Sequence, residues 1–211
     1  MAGLAPAIQR LGAIMLPQTL LALAGRTPKL PVLAEAALVL IDYQNDYLVG
    51  PLELPDAASA MAAAERVLNA ARVAGARIFH VLHKGAVGSV FDRAAWGGQP
   101  IEQLKPAAGE VVIEKTRPSS FFETDLADRL GGSGTQVVFM GFMTHMCVST
   151  TVRAALDYAY AATVVADACA SRDLPGANGT PIPAHTVHEA NLAALGDRFA
   201  GIFTAAQILG E

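Results

Sequence analysis

Charge is scarce in this chain, and cysteine scarcer still. Asp, Glu, Lys and Arg make up only 16% of the 211 residues, and their balance is mildly acidic at −4. The basic residues are scattered rather than gathered into a stripe, which excludes the electrostatic footprint of a nucleic-acid or anionic-membrane binder. Two cysteines, Cys147 and Cys169, are too few for a disulfide framework. Neither stands in a C-x-x-C pair or in a Cys/His spacing suited to zinc. An apolar run at 11–25 is interrupted by Pro17 and is too short to span a bilayer as a helix. Core material is plentiful: 53% of positions are apolar, ample for one globular domain. A small molecule is the partner such a chain suits.

The N-terminal segment admits several readings. Ala22-Leu23-Ala24 resembles a signal-peptidase site, yet a single Arg10 precedes the apolar run and Pro17 breaks it. Residues 1–35 are therefore read as an extension carrying a peripheral helix that packs on the domain or on a neighbouring subunit, with 36–211 as the domain itself. A leader or an over-long start are the other readings. The expected location is the cytoplasm.

Apolar, β-branched runs recur at 37–41, 77–82, 111–113, 137–140, 163–166 and 201–203. Helical spacing fills most of the gaps, at 57–74, 122–130, 148–160 and 185–195. Strands that are apolar on both faces and alternate with helices predict a parallel sheet with helices on both faces, and in the order 3-2-1-4-5-6 its first and fourth strands would be neighbours. The stretch 175–181, rich in Pro and Gly, reads as a surface loop able to cover a site, and 85–100 as an ordered loop over the site or at a subunit contact.

Ligands of such folds bind beyond the carboxyl ends of the strands, and chemistry-bearing residues stand there. Asp42 follows the first strand, Lys115 ends the third, and Cys147 lies in Gly141-Phe142-Met143-Thr144-His145-Met146-Cys147-Val148 after the fourth. A cysteine in the first turn of the next helix is expected to have a lowered pKa, because unpaired N–H groups and the helix dipole favour the thiolate. The alternative is a small buried apolar residue, which is also how Cys169 reads. Asp42 either takes the thiol proton and returns it to a leaving amine or merely caps a turn. Lys115 either stabilises both anions or is a solvated strand end. His80 and His83 read as satisfied core or rim residues, and His185 and His188 as a surface face.

These motifs resemble the isochorismatase-like cysteine hydrolase superfamily, which includes nicotinamidases, N-carbamoylsarcosine amidohydrolases and ureidoacrylate hydrolases. The resemblance covers 36–209 and rests on Leu38 to Asp46, on Glu114-Lys115-Thr116-Arg117-Pro118-Ser119-Ser120-Phe121, and on Gly141 to Val148. It implies a doubly wound six-stranded parallel sheet, a triad of Asp42, Lys115 and Cys147, a cis peptide at Phe142–Met143, and an oxyanion hole from the Met143 and Cys147 N–H groups. It also implies a metal-independent cysteine amidohydrolase, with no cofactor expected, that cleaves a small amide, carbamoyl or ureido C–N bond through a thioester. Nicotinamidases carry an Asp and two His ligands after strand two, whereas this chain reads His80-Val81-Leu82-His83. The ether-cleaving isochorismatases lack the nucleophilic cysteine. Ether hydrolysis, or a silent binding or thiol-redox protein of the same fold, are the alternatives. Arg117, Phe121, His145, Trp96 and Tyr47 are the candidate substrate contacts. The resemblance and the apolar N-terminal segment together predict a homo-oligomer.

Overall fold

A computed structural model describes residues 16–211. Five strands follow one another as β1 (Ala37–Ile41), β2 (Arg77–His83), β3 (Val111–Lys115), β4 (Gln136–Phe142) and β5 (Ala161–Ala170). After them come the two-residue strands β6 (Leu174–Pro175) and β7 (Pro181–Ile182), then β8 (Gly201–Phe203). All but β6 and β7 join one parallel sheet, ordered β3-β2-β1-β4-β5-β8. Counted over the sheet's own strands, this is the predicted 3-2-1-4-5-6. The reversal falls between β1 and β4, where a crevice opens at the carboxyl edge.

The central strands are apolar along their whole length because both faces are covered. Every residue of β1 is buried, as are all of β4 beyond Gln136. Helix α2 (Ala57–Val73) turns Ala57, Ala60, Ala63, Ala64, Val67, Leu68 and Ala71 to the core. Alanine on that face lets the helix approach β5 closely, and α6 (Ala205–Leu209) packs beside it. Helices α4 (Ser149–Ala155) and α5 (Ala184–Arg198) pack together on the other side. The short helix α3 (Leu126–Leu130) precedes β4.

Several elements differ from their sequence patterns. The helix expected at 122–130 begins only at Leu126, and that expected at 148–160 stops at Ala155 because the chain then turns back into β5. The 175–181 loop is the turn of an antiparallel ladder made by β6 and β7. Helix α1 (Leu20–Leu23) is a single turn whose Leu20 N–H donates to Asp197 on α5 at 2.8 Å, with Leu21 buried. The part of the expected extension before Leu16 lies outside the described residues. No helix among the described residues is long and apolar enough to cross a membrane.

Candidate active site

Each reactive side chain owes its place to the end of a strand. Ile41 lies in register with Val81 on β2 and Gly141 on β4, so the chain leaves β1 between two neighbours. It leaves through Asp42, whose φ of +53° is left-handed, a conformation sparsely populated by residues other than glycine and often found where a side chain must be aimed. Lys115 ends β3 opposite His83. Cys147 sits beyond β4 in the turn Thr144–Val148, and the Phe142–Met143 peptide before that turn is cis.

Gly141 makes this convergence possible. Its φ is +146°, and a Cβ there would stand 2.1 Å from the Ile41 carbonyl oxygen. Any side chain would force β1 and β4 apart beneath the site. Gly141→Ala is expected to destabilise the protein by about 3 kcal/mol or more, the range of severe core strain. A urea midpoint close to wild type would show that the strands can give way.

The three groups meet. Lys115 Nζ donates to Asp42 Oδ2 at 2.7 Å and lies 3.3 Å from Cys147 Sγ. Both partners of the ion pair are fully buried, and Cys147 nearly so. His83 Nδ1 is 3.2 Å from the same ammonium, and its ring packs edge-on against Phe91. The second Asp42 oxygen, Oδ1, is buried without a hydrogen-bond partner. The ligand atoms of Asp42, His83 and Cys147 lie within 4.8 Å of one another, a grouping able to hold a metal ion. The lysine ammonium touches all three, so the place of a cation is filled by one the chain supplies.

The thiol departs from expectation. Burial, then the Asp42 carboxylate, push the Cys147 thiol above its ordinary range, and Lys115 only partly offsets them. The predicted lowering assumed the first turn of a helix. Cys147 instead lies in a π-helical turn, where the Met143 carbonyl accepts from both Met146 and Val148, and the helix after it is only seven residues long. Its dipole is small beside the cost of burying a thiolate next to a carboxylate. Burial and the carboxylate thus favour the neutral thiol over the thiolate beside the Asp42–Lys115 salt bridge.

The remaining candidates divide. Tyr47 is buried against Phe91 and Phe142, with a phenol pushed up by burial and then by Asp42 and Cys147, which sets it at the site. His145 is half-buried within the cysteine turn, with Nδ1 3.1 Å from Ser171 Oγ. Arg117 is exposed and forms no ion pair among the described residues. Phe121 turns away to stack with Tyr158 and Tyr160 at the amino end of β5, so it lines no reactive crevice. Trp96 is 60% exposed, but its carbonyl accepts from Asn45 and helps tie the 85–100 loop to the end of β1, as does the Gly98 carbonyl accepting from Gln44. His80 is satisfied as predicted: it meets Glu110 at 2.7 Å, a carboxylate that burial would raise but that Arg72, the Ala107 N–H and His80 together hold at about 2.

His188, expected on a surface face, is not there: its Nδ1 lies 2.8 Å from Thr144 Oγ1 in the cysteine turn. The i, i+3 spacing of His185 and His188 placed them on neighbouring parts of one helix and said nothing of what lay opposite. A groove of about 410 Å³ at the amino ends of β4, β5 and β8 is lined by Arg26, Lys29 and Arg198 among apolar residues. It holds no thiol, imidazole or carboxylate and lies at the edge opposite Cys147.

The isochorismatase domain profile matches residues 36–207. The chain belongs to the isochorismatase family. A crystal structure of a family isochorismatase from Pseudomonas putida KT2440 superimposes with a TM-score of 0.88 at 43% identity, covering 92% of this chain and all of that one. An uncharacterised family protein of Bacillus subtilis is 38% identical over 82% of this chain and 98% of its own length. The ureidoacrylate amidohydrolase of Serratia proteamaculans is 28% identical over 64% of this chain and 69% of its own. Family membership accounts for the three ordered motifs, since the profile spans all of them.

Proposed function

We propose that this protein is a metal-independent cysteine hydrolase that cleaves the C–N bond of a small amide, carbamoyl or ureido substrate. The observation that carries the reading is the buried Asp42–Lys115 pair against the Cys147 sulfur. A thiol kept neutral until substrate arrives needs a base at hand, and the unpartnered Asp42 Oδ1 is that base. Cys147 Sγ attacks the carbonyl carbon as its proton passes to Asp42. The oxyanion so formed is held by the Met143 and Cys147 N–H groups and by the nearby ammonium. Asp42 returns the proton to the departing nitrogen, the C–N bond breaks, and a thioester remains. Water, losing its proton to Asp42, then attacks the thioester, and the thiol is restored as acid leaves. The amidohydrolase from Serratia supports the bond class; the ether-cleaving alternative has no use for a sulfur nucleophile.

Asp42→Asn separates the two duties of the carboxylate. Removing its negative charge takes away a cause of the raised thiol pKa, so the thiolate fraction at neutral pH should rise and iodoacetamide labelling of Cys147 should quicken. Turnover should nevertheless fall by about 10²-fold or more, because the general base is gone. Labelling and turnover falling together would contradict the assignment. An ammonia-release screen over amides, carbamoyl compounds and ureides, with isochorismate as the ether control, identifies the bond. Cleavage of isochorismate alone would transfer the site to the ether class.

A further inference from the structure

The turn that carries Cys147 draws little support from its own backbone. Its Met146 and Val148 N–H groups share the Met143 carbonyl, and the helix that continues it is only seven residues long. Side chains of two other segments hold it. His145 Nδ1 lies 3.1 Å from Ser171 Oγ, just past β5, and Thr144 Oγ1 lies 2.8 Å from Nδ1 of His188, near the start of α5. The second contact reaches across from a helix that gives the site no other group described so far.

Chemistry fixes the direction of that contact. Thr144 is fully buried, and among the described residues its hydroxyl has no partner but His188. A buried hydroxyl proton needs an acceptor, so it is donated to Nδ1 and the ring carries its own proton on Nε2. Nε2 is the nitrogen nearer a carboxylate, 4.0 Å from Glu189. Burial lowers the His188 pKa against the opposing pull of Glu189 and Asp56, which suits a neutral ring that accepts. Nor is the ring there to fill a core. Half-buried His188 lines, with Asp56, Ser59, Asp167 and Cys169, a pocket of about 440 Å³ between α2 and the end of β5. A ring beside free space gives up few packing contacts, so the hydrogen bond is its main contribution there.

We propose that His188 is a positioning residue of this site: through the Thr144 hydroxyl it fixes the turn that aims the Cys147 sulfur and the Met143 and Cys147 N–H groups at a substrate carbonyl. Thr144 directly follows Met143 and shares the turn with Cys147, so the tied residue stands between the two N–H groups. Its consequence for turnover rests on the amide-hydrolase reading, whereas its hold on the thiol rests on geometry alone. Misplacing such groups by about 1 Å costs about 10²-fold in rate.

The test compares Thr144→Val, His188→Leu and the two combined, with iodoacetamide alkylation followed at Cys147 by peptide mass. Each single change is expected to quicken alkylation about 10-fold, the range of one hydrogen bond, because a loosened turn exposes a thiol now buried. The combined variant should be no faster than either, since the same bond is lost in all three. His188→Asn, whose side-chain oxygen is as many bonds from the backbone as Nδ1, should return the rate to wild type. Leu195→Ala, buried further along the same helix, is the control for a merely weakened fold: it should lower the urea midpoint and leave alkylation unchanged. Alkylation near wild type in both single variants, effects that add in the combined one, His188→Asn as fast as His188→Leu, or equal quickening by Leu195→Ala would each overturn the tie. On an amide that the wild type hydrolyses, kcat should fall about 10- to 100-fold in His188→Leu with KM unchanged. Amide cleavage at a wild-type kcat in that variant removes the tie and leaves the reaction class standing. The expected alkylation pattern in a protein that releases no ammonia keeps the tie and removes the amide reading.

Discussion

Cys147→Ala protein is expected to release no ammonia above background from any amide the wild type hydrolyses, a loss on the order of 10⁴-fold or more. Without sulfur there is no thioester, and the Asp42–Lys115 pair has no nucleophile to activate. The fold should survive the change. Lys115 keeps its 2.7 Å contact with Asp42 and its 3.2 Å contact with His83, and the cavity left by one sulfur atom costs about 1–2 kcal/mol. Cys169→Ala is the matching control. That thiol is buried in β5 beside Gly141 and held at about 12 by burial, so it is expected to contribute packing and not turnover. Turnover lost in Cys169→Ala and retained in Cys147→Ala would exchange the two assignments.

Lys115→Met is expected to have the second-largest effect, and on stability as well as on rate. It leaves a carboxylate with no exposed surface and no counter-ion, a change that costs about 3–5 kcal/mol when one partner of a buried pair is removed. It also withdraws the charge that offsets the rise in the Cys147 pKa, so the thiol should titrate still higher. Turnover should fall by about 10³-fold, through weaker stabilisation of the oxyanion and a base that is itself protonated. The double variant Asp42→Asn, Lys115→Met separates these effects. With neither charge left to bury, most of the lost stability should return, while turnover should not. A double variant no more stable than Lys115→Met would show that the pair holds the fold by packing and not by charge.

The alternation of apolar runs and helical spacing sufficed for a parallel sheet with helices on both faces because each central strand must be apolar on both faces to be covered on both. Strand ends were legible as well: Asp42, Lys115 and Cys147 each follow an apolar run. Element ends were less so. Residues 156–160 keep helical composition, yet the chain must turn there to enter β5 in register with β4. Aromatic and basic candidates fared worst. Phe121, Trp96 and Arg117 sit in loops beyond the strand ends, where no period fixes the direction of a side chain: Trp96 and Arg117 turn to solvent, and Phe121 is spent on an aromatic stack elsewhere.

Sequence alone determined the parallel sheet covered on both faces, the order of the motifs and the edge of the sheet where they gather, because periodicity and strand ends are local properties; its doubly wound form came from the resemblance those motifs carry. Tertiary structure decided what those groups are. The lysine and aspartate that touch are 73 positions apart in the chain, and the thiol's ionisation is set by burial and a neighbouring carboxylate that no spacing reveals. His83 and His188 entered the site for the same reason: contact, and the loss of water that comes with it, exist only once distant elements have been brought side by side.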